Sequence, residues 1–505
     1  MSEKYVIGID VGTQGTKTAI FSESGKCCAT AFEKSQLHRP SPGVVEENPE
    51  NQLNTAYTTI RKCMQQSAIS PSSIAGIAIC GQMAGVIGIG EDGKHVTPYD
   101  SWLDTRCAPY ITMMEELAGK EILTKSGCAP SFNHGPKILW WKYERPEIFE
   151  KIKSFVQPGA YIAMRLCGLK AKEAFIDASY LHFSSFADNK LNSWDTVLCE
   201  KFNIDLGLLP GIVPSSKIIG ELSASSAGLA GLVSGIPVVA GCGDTAASFL
   251  AAGAVEEGVC VDVAGTASVF SATTSSFKAD IENKVLGCGQ SIIKDLWYPY
   301  AYINGGGMNL EWFKNEILLF QGKEADLSFD TLDHLANSLK PQMDDPLFIP
   351  HLGGQVSPSR PNIRGAWINL SWSTTAPMLY RAILESVALE YCTFKNSLTS
   401  LYGNYPFKEL RVTGGGEKSD FWNQMKADAL GLKVVQIRQN EGAPLGAALL
   451  AGLGTGLFSD IKSVIGEWVQ TKTEYYPDLE KYAFYQGRLE KYSWLIGVLF
   501  NKETI

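Results

Sequence analysis

The chain has 505 residues, 45% of them hydrophobic and 19% charged, and a net charge of -9. That balance excludes a disordered chain, and the absence of a long basic run argues against binding nucleic acid. The length exceeds one ordinary core and predicts two large domains. The first stretch, YVIGIDVGTQGTKTAIF, alternates and is rich in β-branched residues, which predicts strand, Gly-Thr turn, strand, with a third strand after the turn ESGK. Asp10 ends the first strand. Gly12 and Gly15 permit close backbone approach, so amide N–H groups there can face phosphate oxygens. Thr13 and Thr16 add hydroxyl donors, Lys17 adds a cation, and Asp10 is placed to hold hydrated Mg2+. The plain alternative is a tight hairpin with a capping Asp. No Gly-Lys in the chain is followed by Ser or Thr, which excludes a Walker A loop.

Asn48 and Pro49 then give an N-cap and a first helical residue ahead of apolar residues at helical spacing. The segment IAGIAICGQMAGVIGIG predicts a buried strand pair. The glycine pattern at Gly88–Gly93 runs into KHVTPYDS rather than a helix, so it is a hairpin turn and not a dinucleotide fingerprint. The turns CGQMAG (80–85) and SWLDTR (101–106) offer Gln82, Asp104 and Arg106, polar groups suited to sugar hydroxyls. The alternative is a surface pair between Asp104 and Arg106, with Trp102 in the core. Helices are predicted in the segments that begin at Ala108, Gly135 and Pro158.

From Leu222 to Val255 the only charged side chain is Asp244. The uncharged run is long enough to raise the question of a membrane span, but its Ser and Gly content predicts a loop feeding the buried strand PVVAGCG, then the helix TAASFLAAG. Asp244 stands between them. A carboxylate there is either an N-cap or a proton acceptor where ligands collect at strand ends. The second half opens in the same way: GVCVDVAGTASVFSATT places Gly265 and Thr266 as Gly12 and Thr13 are placed. One unit used twice is expected, with domains at 1–253 and 254–505. Further glycine turns at 303–313 and 412–422 follow, the second leading into a helix capped by Ser419. Long helices are predicted over TTAPMLYRAILESVALEYCTFKNSLTSLYG, APLGAALLAGLGTGLF and the C-terminal LEKYAFYQGRLEKYSWLIGVLF. Twelve cysteines without C-x-x-C predict reduced cytoplasmic thiols, six dispersed histidines give no zinc spacing, and the N-terminus has no signal-peptide pattern.

In order, GIDVGTQGTK, CGQMAG, SWLDTR, GCGDTAA, DVAGTAS, RGAWINLSW, VTGGGEKSDFWNQMKADALG and GAPLGAALLAG resemble the FGGY carbohydrate kinases across nearly the whole chain. Within that family the Gln-Met turn and the RGAW block look most like the xylulokinases. The resemblance implies an α/β fold of two ribonuclease-H-like (actin/hexokinase-type) domains, with ATP, Mg2+ and a sugar in the cleft between them. It implies that Asp244 is the catalytic base and a metal contact, and that Asp10 is the metal-associated carboxylate. Gly12, Thr13, Gly15, Thr16 and Lys17 would face the transferred phosphate. Gly265, Thr266, Gly306, Gly414, Gly415 and Asn423 would serve the nucleotide, and Gln82, Met83, Ala84, Trp102 and Asp104 the sugar. Three positions depart from the pattern. Ala84 stands where xylulokinases usually carry His, Gln355 and Val356 replace a Gly-Glu-Arg block, and Asn369 replaces a common Gly. The expected reaction is phosphorylation of a ketopentose such as D-xylulose at its 5-hydroxyl. Alternatives are another ketose, a polyol such as glycerol or erythritol, a sugar acid, or an actin-like ATPase without an acceptor. The expected partners are the sugar and ATP, without a membrane; a homodimer is compatible with this reading.

Overall fold

The computed structural model describes residues 3–318, 328–438 and 441–500. Two mixed sheets share one pattern of strand directions. The first contains β1 (Tyr5–Val11), β2 (Gly15–Ser22), β3 (Cys27–Lys34), β4 (Ile74–Gly81), β5 (Ile218–Glu221) and β6 (Pro237–Gly243), in the order β5-β6-β4-β1-β2-β3. β1, β2 and β3 form an antiparallel meander, β4 runs parallel to β1, β6 parallel to β4, and β5 antiparallel at the edge. The second contains β7 (Val259–Ala264), β8 (Ser268–Ala272), β9 (Gly287–Gln290), β10 (Trp297–Ile303), β11 (Glu409–Thr413), β12 (Val434–Ile437) and β13 (Thr471–Tyr475), in the order β9-β10-β8-β7-β11-β12-β13. From β10 to β13 the directions repeat those of the first sheet, and β9 is the one addition. The hairpin pattern seen at Gly12-Thr13 and Gly265-Thr266 therefore marks a repeat of whole sheets.

The principal helices are α1 (Pro49–Ser67), α2 (Ala108–Ser126), α3 (His134–Glu144), α4 (Pro158–Cys167), α5 (Asp244–Ala251), α6 (Gly306–Trp312), α7 (Ala376–Tyr402), α8 (Asp420–Leu430), α9 (Ala443–Gly454) and α10 (Leu479–Phe500). The Asn48 side chain accepts from the Glu50 amide at 2.9 Å with Pro49 opening α1, and Ser419 accepts from the Trp422 amide at 3.0 Å to cap α8. Ahead of β6, where the sequence predicts only a loop, Ser223 caps a short helix at Ala224–Ala230. No helix among the described residues is long and apolar enough to cross a membrane.

Alternation on β1 and β2 divides the first sheet into two faces. Ile7, Ile9, Val11 and Ile20 pack into one core with α1 and α4; Val6, Ala19 and Phe21 pack into another with α5 and α9. Helix α9 comes from the second half of the sequence yet lies beneath the first sheet. It is apolar all round, as a fully buried helix must be. Its approach is close enough to need glycine: a Cβ on Gly8 would stand 1.8 Å from the Pro444 carbonyl oxygen, and one on Gly446 would stand 2.1 Å from that of Ala247. At the far end, Arg488 of α10 bonds both oxygens of Glu385 on α7, at 2.7 and 2.8 Å, and closes the second core.

The Gly8 contact leads to a measurable expectation. Gly8→Ala forces the sheet and α9 apart and should cost about 3 kcal/mol, the upper range for overpacking a tight core. Thermal unfolding followed by circular dichroism should show a Tm several degrees below wild type, while Gly353→Ala, whose new carbon meets open space, should melt with wild type.

Candidate active site

The parallel strands β1, β4 and β6 bring the ends of their chains to one edge of the first sheet, where ligands collect in α/β folds. Asp10 lies near the end of β1, and Asp244 is the first residue after β6. The N-cap of α5 is Gly243, so Asp244 is not the cap its position allowed. Its Oδ1 accepts instead from the Thr245 amide at 2.6 Å and the Thr245 hydroxyl at 3.2 Å. Burial raises the Asp244 carboxyl to about 6 against those two donors. Burial raises Asp10 further, to about 8, with the negative charge of Asp244 adding to it and the Cys80 thiol and Lys17 opposing it. The two carboxylates are therefore neighbours that resist being charged together.

The Gly-Thr turn is built differently from its expected use. Gly12 and Gly15 exchange amide and carbonyl bonds at 3.0 and 3.2 Å, so their N–H groups close the hairpin; the tip amides of Thr13 and Gln14 stand outside that exchange. The Thr13 hydroxyl accepts from the Trp102 indole at 2.8 Å and donates to Gln82 Oε1 at 3.3 Å, while Gln82 Nε2 donates to Glu47 at 2.8 Å. Thr16 pairs in register with Val11 and Lys17 with Asp10, so Thr16 points to the opposite face from Asp10. Its hydroxyl shares a 2.7 Å bond with Thr55 of α1, beside a cavity of about 190 Å³, and is not presented with Asp10. Lys17 keeps to the Asp10 face, where Glu441, just ahead of α9, pairs with it at 2.8 Å.

On the expected sugar side, Met83 packs into the space that glycine leaves at 243. Ala84 adopts φ +64°, a left-handed conformation that costs a non-glycine residue energy. Trp102 is not a core residue; it is 38% exposed. Asp104 is fully buried, its Oδ2 accepting from the Val45 amide at 2.7 Å and from Arg106 at 2.7 Å. The Asp104–Arg106 pair is thus neither a surface pair nor an open ligand; it is a brace that also takes in Glu46 and Asp100.

On the second sheet, Gly265 and Gly414–Gly415 sit together where β7 and β11 end, Gly414 at φ +90° with its Cβ position 2.8 Å from the Ala264 carbonyl. The first amides of α6 are spent on this turn, Gly307 N on the Gly265 carbonyl at 2.9 Å and Met308 N on that of Thr266 at 3.1 Å. Gly306 is needed where α6 meets Ser268, 2.0 Å from a would-be Cβ. Asn423 is buried and donates to the Glu417 carbonyl at 2.7 Å, holding the glycine turn from behind.

Two family models, the N-terminal and C-terminal domains of the FGGY carbohydrate kinases, match residues 5–251 and 260–455. The chain belongs to the FGGY family of carbohydrate kinases. It is therefore a phosphotransferase with a sugar acceptor, and the donor in this family is ATP. The xylulose kinase of Bacillus subtilis is 28% identical over 97% of this chain and 96% of its own. The gluconokinase of the same organism is 28% identical over 91% of this chain and 89% of its own. The solved xylulose kinase of Rhodospirillum rubrum superimposes with a TM-score of 0.89 at 25% identity, covering 98% of this chain and 99% of its own. Residue spacing missed Glu47 and Glu441, because each matters only through a partner distant in sequence.

The raised Asp10 carboxyl makes stability pH-dependent in a known sense. Its folded pKa of about 8 lies above the unfolded value, so the stabilisation is whole at low pH and is lost as pH rises through 8. In EDTA, Asp10→Asn should melt above wild type at pH 8, with a margin that shrinks toward pH 5; a margin indifferent to pH would remove the assigned cause.

Proposed function

We propose that this kinase transfers the γ-phosphate of ATP to the 5-hydroxyl of an uncharged ketopentose such as D-xylulose, with Asp244 as the base. The observation that carries the reading is the placement of Asp244 at a parallel-strand end, with a carboxyl raised to about 6 and next to a second carboxylate. A base poised just below neutral pH is mostly ionised and still accepts a proton readily. Asp244 takes the hydroxyl proton as the sugar oxygen bonds to the γ-phosphorus, and the β–γ bridging oxygen leaves on ADP with the bond's electron pair. In this reading residues 1–253 carry the acceptor and 254–505 the nucleotide, in a cytoplasmic enzyme.

Mg2+ suits the donor set. Among the described residues no group of three or more His, Cys, Asp or Glu side chains is arranged for a metal, which speaks against an all-protein cage. Asp10 and Asp244 supply two carboxylates, the number Mg2+ takes when water and phosphates complete its shell. When bound, the ion would offset the repulsion from Asp244 that adds to the burial-driven rise of Asp10, and would neutralise charge on the phosphates.

Charge supports an uncharged acceptor. Three cations on the elements that carry the candidate residues are engaged by other groups: Lys17 by Glu441, Arg106 by Asp104, Glu46 and Asp100, and Lys137 by backbone carbonyls. A sugar acid would bring another carboxylate toward Asp10 and Asp244, where these three cations already have partners. The gluconokinase relatives and Ala84, which gives no hydrogen bond where xylulokinases have His, favour retaining gluconate and other polyols in the test.

Asp244→Asn should keep the KM for ATP within about twofold and lower kcat about a thousandfold, since a general base contributes about 10² to 10⁴. A coupled assay for ADP release over D-xylulose, other ketoses, glycerol, erythritol and gluconate should show the largest kcat/KM with a neutral ketose. Turnover led by gluconate overturns the acceptor, and ATP hydrolysis indifferent to every acceptor overturns the kinase reading.

A further inference from the structure

Lys137 on α3 has no part in the chemistry above, yet its side chain is 1% exposed. Its ammonium donates to the carbonyls of Ser101 and Asp104, each at 2.9 Å. Burial lowers its pKa, with Cys107, Asp100 and Asp104 pulling the other way. An interior ammonium is costly, and an apolar side chain of the same length would fill the space at less expense. Its retention calls for a task that needs a cation with several donors.

Those two carbonyls stand on either side of Trp102 and Leu103. They belong to one tight turn, closed by the Asp104 amide on the Ser101 carbonyl at 2.9 Å and the Leu103 amide on the Ser101 hydroxyl at 3.3 Å. The turn is tied to the preceding segment through Val45, whose carbonyl accepts from Ser101 at 3.0 Å and whose amide donates to Asp104 at 2.7 Å. From the other side the Trp141 indole of the same α3 donates to Asp100 at 2.5 Å. Trp102 itself is only partly buried, so its ring is aimed by its backbone and by the bond to Thr13 rather than by a surrounding core. A lysine bonds two carbonyls at once because it carries three donors, which no apolar residue can do.

We propose that Lys137 is a positioning residue that clamps the Ser101–Asp104 turn so that Trp102 stands against Thr13 and forms a wall of the acceptor pocket. This rests on the acceptor site proposed above. The test uses the full-length protein in a double-mutant cycle with Lys137→Met and Trp102→Phe. Lys137→Met should raise the acceptor KM about tenfold and leave the KM for ATP within about twofold. In the Trp102→Phe background the same change should alter the acceptor KM by less than about twofold, because the clamp has lost what it aims. Lys137→Gln, which keeps two amide donors, should fall between and serves if Lys137→Met does not fold.

A second measurement needs no turnover. Acrylamide quenching of the fluorescence difference between each protein and its Trp102→Phe partner should rise on Lys137→Met. Equal effects of Lys137→Met in both backgrounds, or unchanged quenching of Trp102, overturn the proposal. Failure of the wild-type protein to release ADP with any acceptor overturns the acceptor reading instead and leaves the quenching arm to decide Lys137.

Discussion

The close crossing of α9 beneath β1 and against α5 is the contact on which the site depends. Glycine at 8 lets a helix from the second half reach the backbone of the first sheet, and glycine at 446 lets it reach that of α5. That helix packs against both elements that carry the paired carboxylates. Its first residue also meets the wall of the site: the Cys80 thiol lies 3.6 Å from the Ala443 carbonyl and 3.7 Å from Asp10. Glu441, immediately before α9, fixes Lys17. A segment late in the chain thus sets the electrostatics of a site built at its beginning.

The site holds its charge under tension. Asp10 and Asp244 are half-buried neighbours whose carboxyls are both raised by burial, so part of the folding free energy is spent on keeping the two side by side. Fixed cations closing the arrangement would lower both carboxyls and so would weaken the base proposed at Asp244. In the proposed reaction, the substrate and a divalent ion would be the partners of this pair.

Several polar residues near the site are internal wiring. Trp102, Thr13, Gln82 and Glu47 form one chain of hydrogen bonds from the loop at 101–106 through the Gly-Thr turn to the N-terminal side of α1. The Asp104–Arg106 brace and Lys137 stiffen the same loop from behind. A displacement of the loop is therefore felt at the turn, and this links the proposed acceptor wall to the expected phosphate turn without a shared ligand.

Local rules made much of this legible. Two-residue alternation marked the strands, Asn48 and Ser419 marked helix starts, the repeated Gly-Thr hairpin marked a repeated sheet, and the lone carboxylate at 244 marked a strand-to-helix junction in an apolar stretch. These are short-range preferences of backbone and side chain, and they act wherever the chain is placed. Sequence spacing could not tell which face of β2 meets the cleft, so Thr16 and Lys17 were both expected there, and register sent one to each side. It also could not show that α9 leaves its own half, that Glu441 claims Lys17, or that Lys137 brackets Trp102. Those depend on contacts between residues far apart in sequence, which exist only once two sheets have formed and packed.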